Sequence, residues 1–204
     1  MHQHYVISVV SRDRIGIVAD VSSALAALGG DIADLRQSVL RDYFTMILLA
    51  SFPATVSAEM IQRQTAQASA SDLPPLHVTV IAADAADEGS AVVHRPSSVV
   101  GRRSSVVGRP SSAQPNYLLT ARGPDRVGFV ASVAAFCARN GLNILDLATT
   151  VADGRYVMML LVDVSRCADL DAVRRQLQEF GQTNGLEAVL QHEAIFRATN
   201  EVDQ

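Results

Sequence analysis

Apolar residues along the chain follow two rhythms, one of period two and one near 3.6. Tyr5–Val10 is a short β-rich apolar run, which predicts a strand. Beyond it, Ile17, Val18, Val21, Ala24, Leu25 and Leu28 fall on one face of a helix. Asp13 precedes that pattern and predicts an N-cap, and Gly29–Gly30 predicts the stop. Asp31–Leu40 and Tyr43–Phe52 read as two strands joined at Arg41–Asp42. A polar-apolar helix over Ser57–Ala70 and a last strand over Leu76–Ala82 complete the unit.

The pattern then recurs. Tyr5–Phe52 aligns without a gap to Tyr117–Val164, with 16 identities in 48 positions. Asp13, Arg14 and Gly16 match Asp125, Arg126 and Gly128, while Gly29, Ile32, Asp34 and Met46 match Gly141, Ile144, Asp146 and Met158. Shared glycines at fixed spacing are informative, because glycine usually answers a backbone demand. In the second copy the strand joint carries Asp153–Gly154, a good two-residue hairpin turn. A helix near Leu170–Thr183 and a strand near Leu186–Arg197 follow. Each copy therefore reads β-α-β-β-α-β. The predicted fold class is α+β: two tandem ferredoxin-like βαββαβ modules with antiparallel sheets. The third strand of each copy is apolar on both faces, which predicts that its second face is covered by the sister module, the linker or another chain.

The predicted boundaries are module 1 at 1–84, a linker at 85–115 and module 2 at 116–204. The linker is rich in Ala, Ser, Gly and Pro, a composition that buries too little apolar surface to offset ordering. Its Arg95, Arg102, Arg103 and Arg109 read as a solvated spacer, with an anionic tether as the rival reading.

Composition narrows the function classes. The 204 residues carry 17 basic side chains, all Arg, against 21 acids, for a net charge of −4. That charge disfavours general nucleic-acid binding, which depends on neutralising phosphates. Two cysteines, Cys137 and Cys167, are too few for a disulfide scaffold or a Cys-rich metal site. His2 and His4 lack a third ligand, and a frayed terminus is the preferred reading. No apolar run approaches a membrane span, and no secretory signal is recognisable, so a cytoplasmic location is expected. The chain shows no Ser-His-Asp order, no P-loop and no Rossmann glycine pattern, so neither cofactor nor catalysis is expected.

Candidate chemistry concentrates at the strand-to-helix turns, Ser11-Arg-Asp-Arg-Ile-Gly-Ile-Val18 and Gly123-Pro-Asp-Arg-Val-Gly-Phe-Val130. A helix start offers unpaired N–H groups and partial positive charge to a carboxylate. Gly16 and Gly128 would admit a ligand to the backbone, and Asp13 and Asp125 could accept from an ammonium. The competing reading is an N-cap followed by a packing glycine.

Asp-Arg-x-Gly-x-Val-Ala, then Gly-x-(Asp/Asn)-Ile-x-Asp-Leu, then a hairpin with Met-x-Leu-Leu resembles the ACT domain in both modules. The two-module arrangement is similar to the glycine cleavage system transcriptional repressor family, and the second module resembles the N-terminal ACT segment of formyltetrahydrofolate deformylases. No segment remains for a catalytic domain. The resemblance implies a non-enzymatic, amino-acid-sensing regulator. Its ligand, with glycine or serine as first guesses, would sit between the turn of one module and the second-strand start of another. The residues carried over are Asp13, Arg14, Ile15 and Gly16 with Asp125, Arg126, Val127 and Gly128 at the turns. At the strand starts they are Asp31 and Ile32 with Asn143 and Ile144. Ile15 and Val127 stand where the family commonly has Pro, and Asp31 stands where it commonly has Asn. A homodimer is expected, and the resemblance implies a transcription-factor partner; charge and apolar run lengths give no expectation of direct nucleic-acid or membrane contact. The rival function is a ligand-free protein-interaction module.

Overall fold

The computed structural model describes residues 2–83, 116–152 and 155–194. The readings of the linker at 85–115, of the Asp153–Gly154 turn and of a strand reaching Arg197 fall wholly or partly outside those residues.

The first module runs β1 (His2–Arg12), α1 (Ile17–Ala27), β2 (Asp31–Leu40), β3 (Tyr43–Pro53), α2 (Ala58–Ala66) and β4 (His77–Ala82). The second runs β5 (Asn116–Pro124), α3 (Phe129–Arg139), β6 (Asn143–Ala152), β7 (Arg155–Asp163), α4 (Leu170–Asn184) and β8 (Glu187–His192). The βαββαβ order stands in both. β1 is longer than its apolar run indicated, because its polar end pairs His2 with Pro53 and Gln3 with Phe52 on β3. His2 is thus the first residue of a strand and not part of a frayed end. β8 stops at His192.

The strands form one eight-stranded antiparallel sheet in the order β4-β1-β3-β2-β6-β7-β5-β8. Within each module the order is that of a ferredoxin-like sheet, and the modules join edge to edge through β2 and β6. The seam is short. Arg36 pairs with Ala148, Gln37 with Leu147 and Ser38 with Asp146. One place further along, the Leu35 N–H donates to the Thr149 side-chain oxygen at 2.7 Å. Both β2 and β6 carry an irregularity at the matching place, between Ile32 and Asp34 and between Ile144 and Asp146. Such a bulge re-aims the strand end.

The helix-covered face holds the core. Ile7, Val9, Phe44, Met46, Leu48, Leu119, Tyr156, Met158 and Leu160 on the sheet meet Val21, Leu25, Val133 and Cys137 on the helices. The helices α1 and α3 pack together across the seam. The opposite face keeps apolar side chains in the open: Ile47 is 51% exposed and Ile81 60%. The sister module does not cover that face, because it extends the sheet sideways.

Candidate functional site

Each helix at the seam ends in the same way. Gly29 and Gly141 take left-handed backbone, with φ of +74° and +70°. The Gly30 N–H returns to the Leu25 carbonyl and the Leu142 N–H to the Cys137 carbonyl, each at 2.9 Å. This C-cap turns the chain sharply and delivers Asp31 and Asn143 to the first position of β2 and β6. The helix starts differ from expectation. Gly16 (φ +95°) and Gly128 (φ +84°) are the N-caps, with no side-chain cap, and Asp13 and Asp125 lie further back in the turn. The Asp13 carboxylate instead accepts a hydrogen bond from Asn143 of the other module.

The two modules face each other around an approximate two-fold axis, so each turn meets the other module's second-strand start. At the first corner Arg14, Gly16, Ile17 and Phe44 stand against Ala138, Leu142, Asn143 and Ile144. At the second, Arg126, Gly128, Phe129 and Tyr156 stand against Ser22, Ala26, Gly30 and Ile32. Each corner encloses about 10 Å³, room for roughly one water molecule. Small residues allow the close approach: a Cβ added to Gly16 would lie 3.8 Å from that of Ala138.

Of the residues singled out in the sequence, Arg14, Gly16, Asn143 and Ile144 line one cavity, and Arg126, Gly128 and Ile32 line the other. Asp13 reaches the first cavity through a bond from Asn143 Nδ2 to its Oδ2 at 2.9 Å. Asp31 is half-buried at the other strand start, and Asp125 is exposed in its turn. Ile15 and Val127 line neither cavity, and Val127 is 49% exposed. Sequence reasoning missed Phe44 and Tyr156. Their strand positions read as core, and only the sheet's meeting with the turn puts their rings on the cavity walls.

The corners share a backbone but not a charge pattern. At the first, the Asp13 carboxylate is paired with the Asn143 amide. Arg14 is tied to Asp20 at 2.6 Å and to Ser69 Oγ at 2.9 Å. At the second, the counterpart of Asn143 is Asp31, a carboxylate in place of an amide. The Asp31 carboxyl is pushed up by burial and then by Asp125, with His2 pulling it back. The counterpart of Asp20 is Ser132, whose hydroxyl turns to the Phe129 carbonyl at 2.8 Å. Arg126 meets the Asn184 carbonyl at 3.4 Å. Tyr156 replaces Phe44; it is 1% exposed and its hydroxyl has no hydrogen-bond partner. Burial pushes that hydroxyl's pKa up, the nearby Thr149 opposes this, and Asp34, Asp125 and Asp31 push the same way. Among the described residues, no group of three or more His, Cys, Asp or Glu could hold a metal. No described helix is long and apolar enough to cross a membrane.

The sequence profile of the ACT domain matches residues 3–73 and 116–191. The chain belongs to the ACT-domain family. A UPF0237 protein of Methanocaldococcus jannaschii is 37% identical over 76 residues, covering 37% of this ACT-domain chain and 84% of that protein. A UPF0237 protein of Clostridium perfringens is 32% identical over 88 residues, 43% of this chain and 99% of that protein. Each relative thus corresponds in length to about one ACT module. A solved structure named for the glycine cleavage system transcriptional repressor covers 94% of this chain and 98% of its own, at 14% identity and a TM-score of 0.36. That overlay is too loose to carry an argument about function. The tandem ACT architecture rests on the two profile matches and on the fold.

Proposed function

We propose that this ACT-domain protein is a non-enzymatic regulator that binds a small amino acid at the corners between its modules. The observation that carries the reading is the meeting of each Asp-Arg-x-Gly turn with the opposite module's second-strand start, around an enclosed cavity. The helix N-terminus at each turn supplies N–H groups for a carboxylate, and the flanking acids supply acceptors for an ammonium. The cavities favour the smallest amino acids, glycine and serine, and even these require the modules to part slightly. Because a ligand there touches both modules, its binding shifts their relative placement in proportion to its differential affinity for the two states. The output is a changed contact with a protein partner, a transcription factor by family resemblance, in the control of amino-acid metabolism. A homodimer in the cytoplasm remains part of this reading.

The rival, a ligand-free interaction module, is favoured by one observation: at the first corner Asn143 already occupies the Asp13 carboxylate. Isothermal titration against the twenty amino acids separates the two. Saturable heat with a small amino acid supports the sensor, and silence with all twenty sinks it.

A further inference from the structure

The repeat also relates the helix layers, and there the two modules are filled differently. The N-cap Ser57 of α2 and the N-cap Asp169 of α4 stand at the same place in the repeat. Their buried positions follow in step, Ile61 with Val173 and Thr65 with Leu177. One turn on, Ala68 is the mate of Phe180, and on the seam helices Ala24 of α1 is the mate of Phe136 of α3. In the second module those two rings pack on each other, with centroids 5.1 Å apart. In the first module the same two places hold methyl groups.

Both alanines lie on a groove of about 530 Å³ formed by α1, α2 and α3. Small-molecule sites commonly span roughly 300–1,000 Å³, and the corners, at about 10 Å³ each, fall far below that. The groove shares Ala19 and Ala138 with the first corner and none of that corner's Asp-Arg-x-Gly turn. One residue sets its charge. Asp20 lies on the groove but is ion-paired to Arg14 at 2.6 Å. Arg139 lies on it, exposed, and meets no acid among the described residues. Gln64 and Gln67 add uncharged amides.

An aromatic ring suits space that two phenylalanines fill in the sister module, because a flat ring on alanine methyls gains dispersion contacts and sheds apolar surface from water. A carboxylate suits the unpaired guanidinium, whose N–H groups can meet both of its oxygens. We infer that this groove is a second ligand site, apart from the corners, for a small aromatic carboxylate. Its ring lies on Ala24 and Ala68, and its carboxylate meets Arg139. The groove takes α1 and α2 from one module and α3 from the other, so an occupant touches both modules.

The test is titration of the full chain by ligand-observed NMR. The probes are hydrocinnamate, phenethylamine, which keeps the ring and reverses the charge, and hexanoate, which keeps the charge without a ring. The expected result is saturable binding of hydrocinnamate, with the other two weaker by about fivefold or more. Arg139→Glu, an exposed substitution, weakens hydrocinnamate by about fivefold and removes its advantage over the amine. Ala24→Phe with Ala68→Phe gives the first module the ring pair of the second and abolishes binding, while a thermal melt shows it folded. Glycine and serine do not displace hydrocinnamate. Absence of saturable binding overturns the inference, as does equal binding of the amine, undiminished binding by either variant, or displacement by glycine. Binding of the peptide N-acetyl-Asp-Phe-amide where hydrocinnamate is silent also overturns it, and makes the groove a protein-docking surface.

Discussion

Arg36 and Ala148 pair across the β2–β6 seam, and they are the same position in the two repeats. The approximate two-fold axis therefore passes between them. Its consequences spread outward: Gln37 and Thr149 are repeat mates on either side of the axis, and both are buried polar residues at the seam. Gln37 Nε2 reaches the Ile144 carbonyl at 3.4 Å, while Thr149 Oγ1 accepts the Leu35 N–H at 2.7 Å.

That second bond makes Thr149 a stabilising residue of the seam. Thr149→Val keeps the volume and strands the buried Leu35 N–H. The expected loss is about 1–3 kcal/mol, read as a lower urea midpoint at unchanged slope. Thr149→Ser, which keeps the oxygen, recovers most of it.

Burial of Asp31, and after it the charge of Asp125, makes stability pH-dependent. With its pKa raised, Asp31 holds its proton in the folded chain where the unfolded chain has released it. Stability therefore falls as pH rises through that window and is regained on acidification. Asp31→Asn should raise the melting temperature at pH 7, by about 1–2 °C for a partly solvated pair. The gain should fade as the pH drops below about 4, near the ordinary carboxylate value. A gain of equal size at both pH values would show that charge is not its cause.

Gly128 adopts φ +84° with nothing within 4 Å of an added Cβ. Substitution there costs backbone strain and no clash. Gly128→Ala should lose about 1–2 kcal/mol, with Gly128→Asn milder because asparagine tolerates left-handed backbone. Gly128→Val should strain the turn further and abolish amino-acid binding at this corner, measured by titration.

Gly30 fails for the opposite reason. A Cβ there would stand 2.4 Å from the Phe52 ring and 2.8 Å from the Leu25 carbonyl. Gly30→Ala should cost about 1–3 kcal/mol through overpacking. Shrinking the ring in Phe52→Leu should rescue part of that loss in a double-mutant cycle, which non-additive denaturation midpoints would reveal.

Cys137 is buried on the α3 core face, and burial pushes its thiol up to about 12. Cys167 is half-buried near a loop. A thiol reagent at pH 8 should titrate one cysteine in the native protein and both in denaturant. Fast reaction of Cys137 in the native state would contradict its placement.

Much of the fold was legible in the chain. Helix periodicity found α1, because an amphipathic helix must repeat its apolar face every three to four residues, and the repeat carried that helix over to α3. The glycines at 29 and 141 marked both C-caps, since left-handed backbone there favours a residue without Cβ. Asp13 was misread as an N-cap. An aspartate before a helical pattern suits a cap locally, but only the opposite module shows that Asn143 claims its carboxylate. The length of β1 was misjudged too, because pairing with β3 holds polar ends that no apolar pattern marks.

The sequence by itself determined the duplication, the order of elements in each module and the turns where chemistry gathers. These follow from local periodicity and from glycine's backbone freedom, which act within a few residues. The tertiary structure alone decided that the modules share one sheet through β2 and β6. It also decided that Phe44 and Tyr156 wall the corners, and that Asn143 of one module donates to the Asp13 carboxylate of the other. Those facts join residues of different modules, and spacing along a chain carries no information about which distant side chains a shared sheet edge brings together.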